Sequence, residues 1–293
     1  MNHETQKLMD RKIAEEVERS QWHGILNLGY ANQNGKTQVT DSYAKAPLKI
    51  QRPFYPEAEE ICHSVVVHTA GGIVGGDRLS QNLHLQPNAK ALITTAAASK
   101  IYRSNGKRAQ QSIEIKIDSD ACLEFLPQET IVFNDALYRQ DLKVDLAPGA
   151  SFLTWEITRF GRSARGEHFL QGEWRSNTEI WQAGTPLWLD RQWLLGSAEQ
   201  FHSANALAGQ PLVGTLFWIG QPVSQEVVEK ARSCWYNRKT QGEAGVTQLL
   251  NGLLCRYRGN STSEVRNWFI DVWHLLRLIY LGKPAIKPRV WLL

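Results

Sequence analysis

The chain lacks most of the features that would commit it early to a chemistry. Its four cysteines stand far apart, at positions 62, 122, 234 and 255, without a Cys-x-x-Cys pair or the Cys/His spacing of structural zinc. Cys62 and His63 are the only adjacent soft pair, and strand neighbours point to opposite faces, which argues against a shared metal. The formal net charge is +4, with no run of like charge long enough for a nucleic-acid stripe, so no nucleic-acid partner is expected. The most apolar stretch, WFIDVWHLLRLIYL, is broken by Asp271, His274 and Arg277 and is too short and too polar to span a bilayer. Residues 1–21 alternate acids and bases, lack the apolar stretch of a signal peptide, and read as a flexible extension of a cytoplasmic protein.

Phosphate chemistry is excluded with the same economy. His68-Thr69-Ala70-Gly71-Gly72-Ile73-Val74-Gly75-Gly76-Asp77 is a glycine-rich loop after an apolar strand, with Gly71 and Gly76 at the spacing of the two P-loop glycines. Asp77 and Arg78 then occupy the places of the Lys and Ser/Thr that hold phosphate and magnesium, and strand alternation follows instead of a helix. The loop therefore serves an unusual backbone conformation or a close approach to another segment. No Ser-His-Asp or Cys-His signature stands out.

What is present is periodic. From Trp22 to about Val213 the apolar period is mainly two, with frequent turn signals. The segments around Pro87-Asn88-Ala89, Ser119-Asp120-Ala121 and Pro148-Gly149-Ala150 repeat one pattern, an alternating strand, a tight polar turn, a small Ala and a second strand. The spacing of roughly 30 residues belongs to stacked repeats, each unit needing a neighbour to bury its apolar face. A mainly β, solenoid-like stack is expected, with a large sandwich or a meander of hairpins as alternatives. Two helices are expected towards the C-terminus, at about 222–239 and 261–281, the second with a possible capping box from Ser261 to Glu264. The wide apolar stripe of the second helix suits either the β-body or a partner groove. Eleven Trp against two Met is a usage that points to partner surfaces. The tail KPAIKPRVWLL reads as a docking strap or a final edge strand.

Polar residues inside apolar stretches mark the candidate sites. Gln128 and Glu129 follow Pro127 in a β-run, and Glu156 and Glu167 lie near Arg159, Arg162 and Arg165, where ion pairs holding a loop are the plain explanation. Glu129, Glu156 and Glu167 also raise the alternative of a carbohydrate-active β-solenoid working through paired carboxylates.

The segments HTAGGIVGGDRL, TTAAASKIYRS, LEFLPQETIVF and GRSARGEHFLQGEWR, in this order, and the ending PRVWLL, resemble the UreD (UreH) family of urease accessory proteins. The resemblance runs from about Gly24 to the C-terminus, which makes residues 22–293 one β-rich domain. It implies a non-catalytic scaffold that works with UreF and the GTPase UreG on apo-urease. It also implies transient nickel passing through an internal water-filled passage, with no tightly bound cofactor. Such a conduit needs oxygen or imidazole ligands that release the ion again, not a thiolate cage. The candidate passage residues are Asp77, Glu129, Asp135, Glu156, Glu167 and His68, with Asp77 and Glu167 foremost and His168 as a possible assistant. Where the family commonly has Asp-Gly after the IVF segment, this chain has Asn134-Asp135.

Overall fold

The computed structural model describes residues 22–238 and 241–291; the N-terminal extension expected at 1–21 lies outside them. The chain shuttles between two facing sheets. Strands β4 (Ile61–His68), β6 (Lys90–Thr95), β9 (Cys122–Leu126) and β12 (Ser151–Phe160) lie parallel in one. Strands β5 (Arg78–Leu85), β8 (Ala109–Ile117), β11 (Ala136–Leu146) and β13 (Gly172–Gln182) lie parallel in the other. This is the β-solenoid expected from the repeats.

The short turns explain how the repeat stacks. Asn88, Asp120 and Gly149 each precede the repeated Ala and each take a left-handed φ, of 62°, 58° and 79°, which Asn, Asp and Gly tolerate best. The alanines after them are fully buried or nearly so, and their carbonyls accept from the next coil: Cys122 N to Ala89 O at 2.9 Å and Ser151 N to Ala121 O at 3.0 Å. A larger side chain there would push the coils apart.

The opposite flank carries longer crossovers. Two short strands, β7 (Ser99–Ile101) and β10 (Thr130–Val132), form a third strip there; β10 pairs with both β7 and β12, and Ile73 bridges Ile101. The glycine-rich loop is the first crossover. A Cβ at Gly72 would meet the Tyr102 ring and the Lys100 carbonyl, so the close approach inferred from the sequence is to the next coil.

Further strands close the stack. β1 (His23–Gln33) runs parallel to β5, with β2 (Lys36–Lys45) antiparallel at its edge, and antiparallel β14 (Thr185–Leu195) caps the other end, giving a seven-stranded sheet. β3 (Leu48–Ile50), β15 (Leu212–Ile219), β16 (Glu243–Leu249) and β17 (Gly252–Gly259) complete a sheet of ten strands. A short helix α1 (Ala198–His202), which the sequence pattern did not reveal, links the two.

Helices α2 (Gln225–Tyr236) and α3 (Thr262–Tyr280) pack on the outer face of the ten-stranded sheet. Ser224 and Ser261 cap them, accepting from Val227 N and Glu264 N. The apolar stripe of α3 is divided: Trp268, Phe269, Val272 and Trp273 are buried on the sheet, while Leu278 and Ile279 stay exposed. The strands beneath are therefore buried on both faces, as β4 and β9 show, whereas β8 alternates Ile113, Ile115 and Ile117 inward with Glu114 and Lys116 outward. The tail is a strap, with Trp291 lodged beside Trp155 and Trp273 and donating to Thr94 Oγ1 at 2.9 Å.

An ionic cluster lies under α3. Arg277 reaches Glu57 at 2.8 Å and Glu124 at 3.0 Å, Trp273 Nε1 donates to Glu124 at 2.6 Å, and His63 Nε2 lies 2.6 Å from Glu57. Burial pushes the Glu124 carboxyl up to about 7 against the pull of Arg277. His63 faces this cluster and Cys62 the inter-sheet core, which confirms their opposite orientation.

Candidate functional site

The space between the sheets is not uniformly apolar. Strand register aligns Gln111, Gln140, Ser176 and Gln192 in one row across the seven-stranded sheet. Glu156, Thr215 and Arg256 form a row on the ten-stranded sheet. Each of these residues holds an inward phase of its strand, so the coil repeat turns isolated polar positions into a column along the solenoid axis.

Within the column, Ser176 Oγ donates to Glu156 at 2.7 Å and Thr158 Oγ1 donates at 3.2 Å. The Tyr138 hydroxyl lies within 3.2 Å of Gln111 and Gln140. Glu156 lies deep in the molecule yet keeps some accessible surface, as a side chain facing internal space does. Burial pushes its carboxyl up, and the two hydroxyls and Arg256 hold it back. A cavity of about 50 Å³ adjoins it, lined by Gln81, Gln111, Gln140 and Thr178 among others, which is room for a few waters. Buried Gln81 Oε1 has no hydrogen-bond partner among the described residues.

One end of the column opens. A cleft of about 400 Å³ shares Gln81, Thr95, Ser99 and Gln111 with the inner cavity and reaches outward past His68, Gly71, Gly72 and Ala97. His68 Nδ1 lies 3.1 Å from the Ala70 carbonyl. A carbonyl only accepts, so Nδ1 carries the proton and Nε2, buried without a partner among the described residues, keeps a free lone pair at the mouth. Farther along the rows, Arg256 bonds Asp190 at 2.7 Å and Thr215 at 2.8 Å.

Of the six residues singled out in the sequence, Glu156 and His68 line this space; the other four do not. Asp77 ends the glycine-rich loop as a turn cap, its Oδ2 accepting from Val74 N at 3.0 Å. Glu129 is paired with Arg266 of α3. Glu167 is clasped by Arg162 through both guanidinium and backbone N–H, which lowers its pKa. Asp135 is exposed with φ 66°, taking the place where the family's glycine is expected, while Asn134 Oδ1 ties down Leu170 N and Gln171 N. His168 is exposed and packs on Phe201. With Glu129 and Glu167 each held by an arginine outside the column, the carboxylate pair that glycoside chemistry requires is not assembled from these three residues.

Sequence reading missed Gln81, Gln111, Gln140, Ser176 and the Arg256–Asp190 pair. The signal was a glutamine at an inward phase of an otherwise apolar alternation, as in Ala109-Gln-Gln111-Ser-Ile113-Glu-Ile115.

Among the described residues no three His, Cys, Asp or Glu side chains group as a metal site. Instead one imidazole nitrogen, several amide and hydroxyl oxygens and one carboxylate are strung along a path. Together with the fold, this defines a class: a two-sheet β-solenoid with polar residues around a small internal cavity and a helical outer layer.

The family model for the UreD urease accessory protein matches residues 23–292, and the chain belongs to the UreD family. It is 67% identical to the urease accessory protein UreD of Nostoc punctiforme over 270 residues, 92% of this chain and 96% of that one. The corresponding proteins of Microcystis aeruginosa and Acaryochloris marina are 58% and 54% identical, over 92% and 96% of this chain and 99% of theirs. Among the described residues no helix is long and apolar enough to cross a membrane.

Proposed function

We propose that this chain acts in urease maturation as a non-catalytic nickel conduit, working in the cytoplasm with UreF, UreG and apo-urease. Nickel is its cargo, entering at the His68 mouth and moving along the column past Glu156. GTP hydrolysis is left to UreG, in keeping with a glycine-rich loop that lacks the phosphate-binding Lys and leads into a strand.

The observation that carries the reading is the register of the two inner rows, with Glu156 as their one carboxylate. Oxygen ligands and a single imidazole hold a divalent ion loosely enough to pass it on. The carboxylate favours cations by charge, and spacing the ligands along the bore keeps any one position from becoming a trap.

The test uses cells carrying the urease subunits and the other accessory proteins. Glu156→Gln and Gln111→Leu are each expected to lower urease activity and its nickel content at least tenfold, while the accessory complex still assembles. Full nickel loading with either variant would sink the conduit reading and leave a scaffold without a passage.

A further inference from the structure

The four segments that carry the family resemblance lie side by side on one flank. They are the crossovers at residues 69–78, 96–108, 127–135 and 159–172. Tyr102 N bonds Ile73 O at 2.9 Å, Ser104 N bonds Asp135 O at 2.8 Å, and Asp135 N bonds Gln171 O at 2.9 Å, so they form one continuous surface. Eight Lys and Arg against four Asp and Glu on these segments leave an excess of four positive charges, equal to the formal net charge of the whole chain. Three of the four acids are spoken for: Asp77 by Val74 N, Glu129 by Arg266 and Glu167 by Arg162. Lys100, Arg103 and Arg165 are exposed and make no ion pair among the described residues.

The flank is also apolar in places. Val74 and Leu170 are exposed there, and Tyr102, Arg103, Phe133, Asn134, Arg162 and Glu167 line a socket of about 280 Å³, with the Arg162 guanidinium 4.5 Å from the Phe133 ring centre and paired with Glu167. Arginine, aromatic and aliphatic groups together are the composition of a protein interface. The unbalanced charge selects an acidic partner.

We infer that this flank docks an acidic protein surface, whose carboxylates meet the unpaired Lys100, Arg103 and Arg165. A consequence, resting on the conduit reading, concerns the mouth of the bore. Lys100 lines the mouth, and uncompensated cations there repel a divalent ion. Docking of an acidic surface cancels that barrier, so the mouth admits cations only in the assembled complex.

The experiment compares the full chain with Lys100→Glu/Arg103→Glu/Arg165→Glu and with a control, Lys45→Glu/Lys116→Glu/Lys143→Glu, whose exposed lysines lie on the seven-stranded sheet away from the flank. Binding to apo-urease with the co-expressed accessory proteins is followed by sedimentation at low and high salt, with Tm as the folding check. Expected are wild-type binding that weakens with salt, at least tenfold loss in the flank variant at unchanged Tm, and near-wild-type binding in the control. Equal binding by the flank variant, equal loss in the control, or preferential capture of a single-stranded oligonucleotide by the flank would overturn the inference. The two proposals fail separately. Glu156→Gln tests the bore without touching the flank, and assembly is read without reference to nickel.

Discussion

Glu156 and Glu124 lie on opposite faces of one ten-stranded sheet, and their surroundings treat them in opposite ways. On the inner face Glu156 meets the hydroxyls of Ser176 and Thr158 and an adjoining cavity, with no cation in direct contact. On the outer face Glu124 is pressed between Trp273 and Arg277 beneath α3, one of its oxygens having no partner among the described residues. The first arrangement leaves a charge free to meet a visitor. The second uses a charge to fix a helix at the cost of desolvating it. The contrast shows that two acids on one sheet can be buried to different ends, one beside open space and one inside an ionic cluster.

The comparison breaks most directly at Arg277. Arg277→Leu strands Glu57 and Glu124 without their cation, and a loss of about 3–5 kcal/mol in chemical denaturation is expected. A loss below about 1 kcal/mol would mean that the cluster is no clamp.

Next comes pH. The Glu124 carboxyl at about 7 sits above its unfolded value, so the folded state holds the extra proton in between. Stability from this group is full below the usual carboxylate range and falls as pH rises to about 7, by on the order of 3 kcal/mol. Glu124→Gln should flatten that fall, read as Tm at pH 5 and pH 8. Glu60, held at about 2 by Lys283 and Lys90, works in the opposite sense and only in acid.

Trp291→Ala removes the strap's anchor and should cost about 2 kcal/mol, with a change in Trp fluorescence as its neighbours Trp155 and Trp273 are uncovered. The smallest effect sharpens the contrast. Glu156→Gln offers one hydroxyl an oxygen and the other an N–H to accept from, and strands no cation, so denaturation should move by less than about 1 kcal/mol. A loss above about 2 kcal/mol would make the column a structural network like the one under α3.

Much of the fold was legible because it is local. Period two, the turn-then-Ala repeat and the Ser261 cap all act within a few residues, and both C-terminal helices stand close to where the pattern put them. The helix α1 is only one turn and a half long and carries no amphipathic period to read. The site was less legible, because its content is register. Gln111 and Gln140 are 29 positions apart in sequence and adjacent in the sheet. Arg277 and Glu57 meet across 220 positions. Acidic residues within conspicuous motifs drew attention first, and Asp77, Glu129 and Glu167 proved to be tied to the crossovers or to α3, while unremarked glutamines line the bore.

The two flanks of the solenoid divide spacing from signature. Every short turn resets the inward phase with one left-handed residue and one buried Ala, whereas the crossovers opposite are longer and of unequal length. The segments that mark the family fall on the crossover side. Kinship in this fold is therefore written in its loops, while the turns that keep the interior in phase ask only for a small residue after a left-handed one.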